Sequence, residues 1–351
     1  MAVLVFAVAS LAQWNVTRLH PAGAAASHGS GVGSGGQAGS VTIGGSYRAT
    51  LWSGSAGSAI SLAPAGSAAS RAFGMRGSQQ VGYAEIGNDH AGLWQGTAGS
   101  WMDLNPVSST HSYAHGTDGT TQVGEALVGS SFHASKWTGT AASWVDLHPA
   151  GANASLASAA DGTDQIGTVF LLNKLGEPTQ HASLWSGTAG SWIDLHPEDS
   201  GFSHGLGGQG GEQVGFANIS STGAIAASLW TGTAASWLDL SPTGSLFSMA
   251  WAAYDGMQVG AADVDKVYRA SLWTGTSASW VDLHAFVPGE YTSSEARGVW
   301  SDGGITYVVG FGFNSISGED EALLWTMVPE PSGYVALGIG LALLLRKRLN
   351  R

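Results

Sequence analysis

The chain has 351 residues, of which 11% are charged and 53 are glycine, and it contains 15 tryptophans and no cysteine. So few charged residues exclude a long charged helix, a coiled coil or a basic nucleic-acid-binding protein. The lack of cysteine excludes disulfides, thiol catalysis and thiolate metal sites. Because 44% of the residues are hydrophobic, the chain has more core material than a disordered protein carries. The composition predicts a glycine-rich β protein with many turns.

The charge is unevenly placed along the chain. Four of the 13 lysines and arginines lie in the last six positions, so residues 1–345 carry nine basic and 25 acidic residues, a net charge of −16. A body with this charge repels nucleic acid and anionic lipid. We therefore expect no nucleic-acid partner.

Residues 1–12 are apolar, and Ser10-Leu11-Ala12 has the small-x-small pattern at which a signal peptide is cleaved. The segment is short and has no basic start. We interpret it as a signal peptide. A blade strand, or a start codon placed too far downstream, is the alternative interpretation.

Residues 13–326 consist mainly of copies of one repeated unit, and two independent sequence markers give the number of copies. The first marker is a tryptophan that recurs at steps of 42, 43, 48, 45, 43 and 52 residues, at Trp52, Trp94, Trp137, Trp185, Trp230, Trp273 and Trp325. The second is the glycine of a Gln-Val-Gly motif or a variant of it, at Gly39, Gly82, Gly124, Gly167, Gly215, Gly260 and Gly310. Both markers give seven units.

Each unit reads as four short strands. In one unit they are residues 213–217, 227–230 and 236–240, and the fourth, weaker strand centres on a Ser-x-Ala-x-Gly segment such as residues 112–116. Strands two and three are joined by Gly-Thr-Ala, a loop of hairpin length. Four strands in roughly 43 residues is typical of a β-propeller blade. A parallel β-helix with two coils per unit is the alternative.

The two ends of the repeat region complement each other. The last unit stops after its second strand at Trp325, whereas residues 14–23 resemble a third strand and Ser27-His28-Gly29 resembles a fourth. An N-terminal strand pair that completes the last blade would hide two exposed sheet edges. A linear solenoid gives no reason for this split, so the pattern predicts an all-β, seven-bladed propeller over residues 13–326.

The blade pattern resembles HAF-type extracellular repeats over about residues 14–325. Those repeats carry an Ala-x-Leu-Trp strand, an Asp-Leu turn, a Ser-x-Ala-x-Gly segment and a Gly-Gln-Val-Val-Gly segment. This chain keeps the Gln-Val-Gly core, while the Ile-Asn usually found before it is mostly absent. The resemblance implies a surface or secreted location and no particular chemistry.

Residues 327–351 contain a proline-rich tripeptide, an uncharged apolar run and a basic tail. In order these are Pro329-Glu330-Pro331, residues 333–345, and Arg346, Lys347 and Arg348. From residue 326 to residue 345 the length just suffices to span a bilayer, and the basic tail would hold the C-terminus in the cytoplasm. We therefore predict a C-terminal transmembrane helix. A buried terminal helix of a soluble protein is the alternative.

The same three parts resemble a PEP-CTERM sorting signal. The resemblance implies that exosortase, a membrane peptidase of Gram-negative bacteria, processes the chain near Pro329-Glu330-Pro331. It also implies an inner-membrane-anchored precursor and a mature protein at the cell surface or outside the cell. Exosortase and the membrane are thus expected partners before processing.

Several polar and aromatic residues recur at fixed repeat positions, which favours a scaffold role over a single site. The aspartates are expected to accept backbone N–H bonds in the turn before proline, and they are Asp103, Asp146, Asp194, Asp239 and Asp282. The histidines are a weak metal or anion candidate, because Asn105 and Ser241 replace them elsewhere, and they are His20, His148, His196 and His284. The tryptophans are expected in the core, with platforms for sugar rings as the alternative.

No catalytic, cofactor or metal motif stands out. The acidic run Glu319-Asp320-Glu321 is expected to form a solvated loop. We predict a structural or binding protein that is not an enzyme, needs no cofactor and is associated with extracellular polysaccharide. The alternative is a secreted, glycoside-cleaving enzyme on the same scaffold.

Overall fold

The computed structural model describes residues 14–173 and 175–328. In these residues the chain forms seven four-stranded antiparallel sheets and short 3-10 helices. The prediction of a seven-bladed propeller with four strands per blade is confirmed. The predicted signal peptide, residues 1–12, lies outside the described residues, as do Pro329, Glu330, Pro331, Arg346, Lys347 and Arg348.

Strand β1 (Trp14–Arg18) comes first, and the first six blades then follow in chain order. Blade one has β2 (Ala26–Gly33), β3 (Gly36–Ile43), β4 (Ser46–Trp52) and β5 (Ile60–Ser61), and blade two has β6 (Ser70–Arg76), β7 (Gln79–Ile86), β8 (Asn88–Trp94) and β9 (Met102–Asp103). Blade three has β10 (Ser112–Thr117), β11 (Gln122–Val128), β12 (Ser131–Trp137) and β13 (Val145–Asp146), and blade four has β14 (Ala154–Asp161), β15 (Asp164–Leu172), β16 (Pro178–Trp185) and β17 (Ile193–Asp194). Blade five has β18 (Ser200–Gln209), β19 (Glu212–Ile219), β20 (Ala224–Trp230) and β21 (Leu238–Asp239), and blade six has β22 (Ser248–Tyr254), β23 (Met257–Val264), β24 (Val267–Trp273) and β25 (Val281–Asp282).

Blade seven joins the two ends of the described chain. It consists of β26 (Tyr291–Asp302), β27 (Ile305–Asn314), β28 (Glu319–Met327) and, as its outermost strand, β1. Strand β1 runs antiparallel to β28, from Trp14 opposite Met327 to Arg18 opposite Leu323. The predicted closure by the N-terminal segment is therefore confirmed, but the prediction of a strand pair is wrong. One strand suffices because the Ser-x-Ala-x-Gly segment is the innermost strand of the next blade.

The link between the third and fourth strands is a 3-10 turn rather than a tight hairpin. In blade two it is Ala98–Ser100. The Ser100 hydroxyl donates to the carbonyl of Thr97 at 2.6 Å and accepts the N–H of Gln95 at 2.8 Å. This turn leaves only two paired residues in the fourth strand, so each outer sheet edge is short and offers little backbone for unwanted pairing.

The core lies between neighbouring blades. The seven repeat tryptophans, Trp52, Trp94, Trp137, Trp185, Trp230, Trp273 and Trp325, are fully buried. Trp137 of blade three, for example, packs with Leu93 and Leu104 of blade two. The second tryptophan of most units is only partly buried, and its indole N–H bonds a serine of the third strand, as from Trp192 to Ser183 at 3.0 Å. Both sets are scaffold, which confirms the predicted core role rather than exposed sugar platforms.

The fold class predicted from the sequence included a transmembrane helix, and this part is corrected. Within residues 14–173 and 175–328 no helix is long and apolar enough to cross a membrane. The helices described there are 3-10 turns of three residues, because glycine and β-forming residues interrupt any helical period. The segment predicted to span, residues 326–345, lies mostly outside the described residues. The fold class is an all-β propeller.

Candidate functional site

Every innermost strand carries a β-bulge at the same point, and the bulged residue faces the central channel. At these positions the pairing with the second strand skips one residue. A bulge leaves its extra residue out of the ladder and re-aims the side chain. The seven bulged residues all line one central cavity of about 900 Å³, and they are Ser30, Phe73, His115, Ser158, Leu206, Trp251 and Arg297. The same β-bulge in every blade thus points a side chain into the central cavity, and the kind of side chain varies from blade to blade.

The residue three positions before each bulge is always a buried serine. Its hydroxyl accepts the backbone N–H of a third-strand alanine in the preceding blade, at 2.8–3.1 Å. The serines are Ser27, Ser70, Ser112, Ser155, Ser203, Ser248 and Ser294. One hydrogen bond per blade interface therefore fixes the innermost strands around the axis.

The recurring histidines support these serines. His148 Nδ1 lies 2.8 Å from the hydroxyl of Ser155, and Asn105, Ser241 and the other three histidines make the same contact at 2.6–3.0 Å. Burial lowers the pKa of His148 and of its three equivalents, so the neutral imidazole is favoured. The described residues contain no group of three or more metal-binding side chains.

The recurring aspartates close the preceding turn, as predicted. Asp146 Oδ1 accepts the N–H of His148 at 2.8 Å, and Asp194 accepts that of His196 at 2.9 Å. Their second oxygens contact His133 and His181, also at 2.8 Å. The carboxylates and the recurring histidines belong to one scaffold network and are not available for catalysis.

Arg297 is the centre of a charged and aromatic group in the channel. Its guanidinium carbon lies 3.7 Å from the centre of the Trp251 ring and 5.6 Å from that of Phe311. Its Nε lies 3.0 Å from Oε1 of Glu295 without hydrogen-bond geometry. Burial raises the pKa of Glu295, while Arg297 opposes that shift. The indole N–H of Trp251 is buried and lacks a hydrogen-bond partner among the described residues.

His28 and Asp320 extend this group into blade one. Nε2 of His28 lies 3.2 Å from Oδ2 of Asp320, and the His28 ring meets Phe311 edge-on at 4.6 Å. The acidic run was predicted to be a solvated loop, and that prediction is wrong. Glu319, Asp320 and Glu321 begin strand β28, where Asp320 lines the cavity and Glu321 is fully buried.

A second group lies on blades one to three. The Arg71 guanidinium stacks on Tyr47, with 3.4 Å between its carbon and the ring centre. Phe73 lies 5.5 Å from His115, and Nε2 of His115 is 3.5 Å from Oε1 of Glu125. Nε of Arg71 and Nε2 of His115 are buried and have no hydrogen-bond partner in the described part of the chain. A buried polar atom without a partner is costly, and because these two atoms lie on residues that line the cavity, a ligand there could bond to them.

The part of the cavity wall that blades four and five form differs from these two groups in its chemistry. Blades four and five contribute mostly small or apolar residues, such as Leu156, Ser158 and Leu206, with Asp161 and Gln209 at the ends of their innermost strands. The cavity is therefore asymmetric, with arginine, histidine and aromatic rings on one side and a mostly apolar wall on the other. A few convergent polar groups in a largely apolar concavity are typical of ligand sites.

The far end of the channel is narrowed by a contact between opposite blades. The innermost strands all run in the same direction, so their last residues meet at one mouth. There the Arg76 guanidinium of blade two lies 4.7 Å from the ring centre of Tyr254 in blade six. Asp118 and Asp161 accept N–H groups of the next blade's turns, from Gly162 at 3.1 Å and Gly210 at 2.7 Å. The acidic side chains at this mouth are thus used in the scaffold.

The sequence predicted no residue of this cavity as a site. A sequence signal exists, because both variable positions of Ser-x-Ala-x-Gly change from unit to unit, while the serine is constant and the other two positions hold alanine or glycine. Variation at a fixed place in a repeat indicates a position that the scaffold does not require. Only the bulge shows that the second variable position faces the channel.

Comparisons with known proteins give the fold alone. No protein-family model matches the chain, and no curated protein matches its sequence. A propeller domain of the Trilobed protease from Pyrococcus furiosus, described as having an open velcro topology, is similar at TM-score 0.59 and 9% identity, over 88% of this chain and 99% of that one. The present ring differs in being closed by β1.

Two peptidases are similar as well. Pyrococcus horikoshii acylaminoacyl peptidase has TM-score 0.54 and 9% identity, over 88% of this chain and 53% of its own length. A puromycin-hydrolysing peptidase of Mycobacterium tuberculosis has TM-score 0.53 and 15% identity, over 90% and 56%. The chain spans about half the length of these peptidases.

These neighbours correct the prediction that the chain is not an enzyme. The same fold occurs in chains described as a protease and as peptidases, so the fold does not exclude catalysis. At such identities the likeness shows architecture only. No peptidase activity follows for this chain.

Proposed function

We propose that the protein is an exported, ligand-binding propeller whose site is the central cavity and whose ligand is an extracellular polysaccharide. Exosortase would process the precursor near Pro329-Glu330-Pro331, and the mature protein would act at the cell surface or outside a Gram-negative cell. The sorting part of the proposal rests on the terminal motif of the sequence.

One observation carries the binding role. Seven equivalent bulges present seven channel-facing residues of six different kinds, from Ser30 to Arg297, on a scaffold with the same serine hydrogen bond at every blade interface. A purely structural ring has no need for such variety at its axis. Aromatic rings such as Phe73 and Trp251 offer apolar faces, and the serines offer hydrogen bonds, which together suit a sugar chain.

Binding is tested with the full chain on a glycan array, followed by calorimetry on each hit. Phe73→Ala and Trp251→Ala should each weaken binding about tenfold or more, since each removes a large contact surface. The matched control is Phe286→Ala, an exposed aromatic outside the cavity. If no glycan binds, or if all three variants bind equally, the proposal fails.

Processing is tested separately by mass spectrometry of the secreted protein. We expect a C-terminus near Val328. An extracellular protein that still ends at Arg351 would contradict exosortase sorting without affecting the binding proposal.

A second candidate, a sugar-active enzyme, is favoured by two carboxylate–histidine pairs in the same cavity. Glu125 lies 3.5 Å from His115 and Asp320 lies 3.2 Å from His28, so each pair places one carboxyl group in the cavity, and glycoside cleavage uses two. Release of reducing ends that is abolished in both Glu125→Gln and Asp320→Asn would establish this activity. If the protein binds a glycan without cleaving it, the binding role stands and the enzymatic role is rejected.

A further inference from the structure

We propose that the cavity selects an acidic saccharide, and that Arg71 and Arg297 bind its carboxylates. This inference rests on the proposed function and names the ligand class of that site. Both guanidinium groups line the cavity, on either side of blade one. Arginine binds a carboxylate through a planar fork of N–H donors, so two such groups in one cavity indicate an acidic ligand.

Each guanidinium stacks on an aromatic ring, and Arg297 is also paired with Glu295. Arg71 lies 3.4 Å from the ring centre of Tyr47 and Arg297 lies 3.7 Å from that of Trp251. Cation–π contact fixes the plane of the group and leaves its edge free. A guanidinium with a fixed plane and a free edge is a preorganised donor to a carboxylate, because little side-chain entropy is lost on binding.

One N–H donor of each group, the Nε, has no partner with hydrogen-bond geometry in the described residues. Nε of Arg71 and Nε of Arg297 are both buried. No carboxylate of residues 14–173 or 175–328 lies within 4.0 Å of Arg71, whereas Arg297 has Glu295 at 3.0 Å. Arg71 is therefore the stronger anion site, and Arg297 shares its charge with a buried carboxylate.

The rest of the cavity favours a saccharide over a small anion. Its volume of about 900 Å³ accommodates several sugar rings, and it is lined by hydroxyls of Ser30, Ser40, Thr42 and Ser158. The outer surface restricts how such a ligand enters. Residues 1–345 carry a net charge of −16, which repels a long polyanion, so the end of an acidic chain is the part that can enter.

The test measures binding of the full chain to trigalacturonate and to the neutral galactose trimer by calorimetry at low and high salt. Trigalacturonate should bind at least about tenfold more tightly, with an advantage that shrinks as salt rises. Arg71→Gln should remove most of that advantage and Arg297→Gln a smaller part. Lys266→Gln, which removes an exposed positive charge outside the cavity, should change nothing.

The outcomes separate the two proposals. If the neutral trimer binds as tightly as the acidic one, or if Arg71→Gln leaves the difference intact, acid selection is wrong and glycan binding stands. If an acidic tripeptide binds as tightly as trigalacturonate, the saccharide class is wrong. If neither saccharide nor peptide binds although the variants melt like the parent, both the inference and the proposed function fail.

Discussion

Arg18 donates from Nη2 to Oε1 of Glu321 at 2.6 Å, across 303 positions of sequence. The pair joins β1 to β28 where the ring closes. Glu321 also accepts hydrogen bonds from the hydroxyls of Tyr291 at 2.6 Å and Ser317 at 3.0 Å. Burial raises the pKa of Glu321, but these donors and Arg18 outweigh it and lower the pKa below its ordinary value. The carboxylate stays ionised inside the closing blade because its neighbours favour that form.

Arg18→Met should destabilise the ring. Glu321 is fully buried and would lose a charged donor, which costs about 1–3 kcal/mol. The free energy of urea unfolding at pH 7 measures this. Lys266→Met removes an exposed charge on a hairpin turn and serves as the control. Equal stability of the two variants would show that the pair does not secure closure.

The free energy of unfolding should fall as the pH is lowered from about 6.5 to about 4. Burial lowers the pKa of His204 to about 4, whereas an unfolded histidine titrates near 6.5. Between these values the unfolded state binds a proton that the folded state does not, so the stabilisation is complete above pH 6.5 and is lost below it. At most this group contributes about 3 kcal/mol.

His204→Phe isolates that contribution. The ring lies 4.5 Å from Phe216 in a stacked arrangement and near Phe170 and Phe202. Phenylalanine therefore keeps the aromatic contacts and removes those with Gln180 and Thr168. The variant should show a shallower dependence of stability on pH, whatever its stability at pH 7. His111→Phe, at a histidine outside this aromatic box, should keep the parental slope. A parental slope in His204→Phe would refute the assignment.

Ser155→Ala should cost more stability than Ser70→Ala. Both substitutions leave a buried backbone N–H without its acceptor, from Ala134 and Ala49 respectively, at about 1–3 kcal/mol. Ser155 also holds His148, whereas the corresponding position before Ser70 is Ala63. Chemical denaturation gives both values. The exposed Ser108→Ala is the control, and the reverse order would contradict the role of the histidine.

Gly116→Ala should destabilise the channel wall, whereas Gly57→Ala should be neutral. A Cβ at Gly116, the residue after the His115 bulge, would come within 2.4 Å of the carbonyl oxygen of Ser158 in the next blade. Nothing lies within 4 Å of such an atom at Gly57. Overpacking of this kind costs about 1–3 kcal/mol. Similar melting temperatures for the two variants would show that the inner strands yield easily.

Much of the scaffold could be predicted from the sequence because it is repeated. Two markers, a buried tryptophan and the glycine after Gln-Val, each gave the number of blades, and the aspartate turns followed from known turn chemistry. The role of the histidines was also accessible, since His148 and Ser155 are seven residues apart, as are His196 and Ser203. A constant spacing between two polar residues is a sign that they touch.

The assignment of strands to blades could not be predicted, because periodicity does not say where a period begins. The Ser-x-Ala-x-Gly segment was read as the last strand of a unit, and it is the first. The cavity was missed for a related reason. Phe73, Trp251 and Arg297 stand at a position without a pattern, and their shared orientation arises from bulges, which leave no mark on hydrophobic alternation.

Because of the bulges, seven of the side chains that face the central cavity belong to residues that do not form the strand ladders. A bulged residue takes no part in the strand ladder, so exchanging it removes no hydrogen bond of that ladder. The seven bulged positions around the axis can therefore differ from blade to blade while the strand pairing stays the same. A lineage that duplicates this unit can therefore change what the ring recognises by point mutation, without refolding or re-registering any strand.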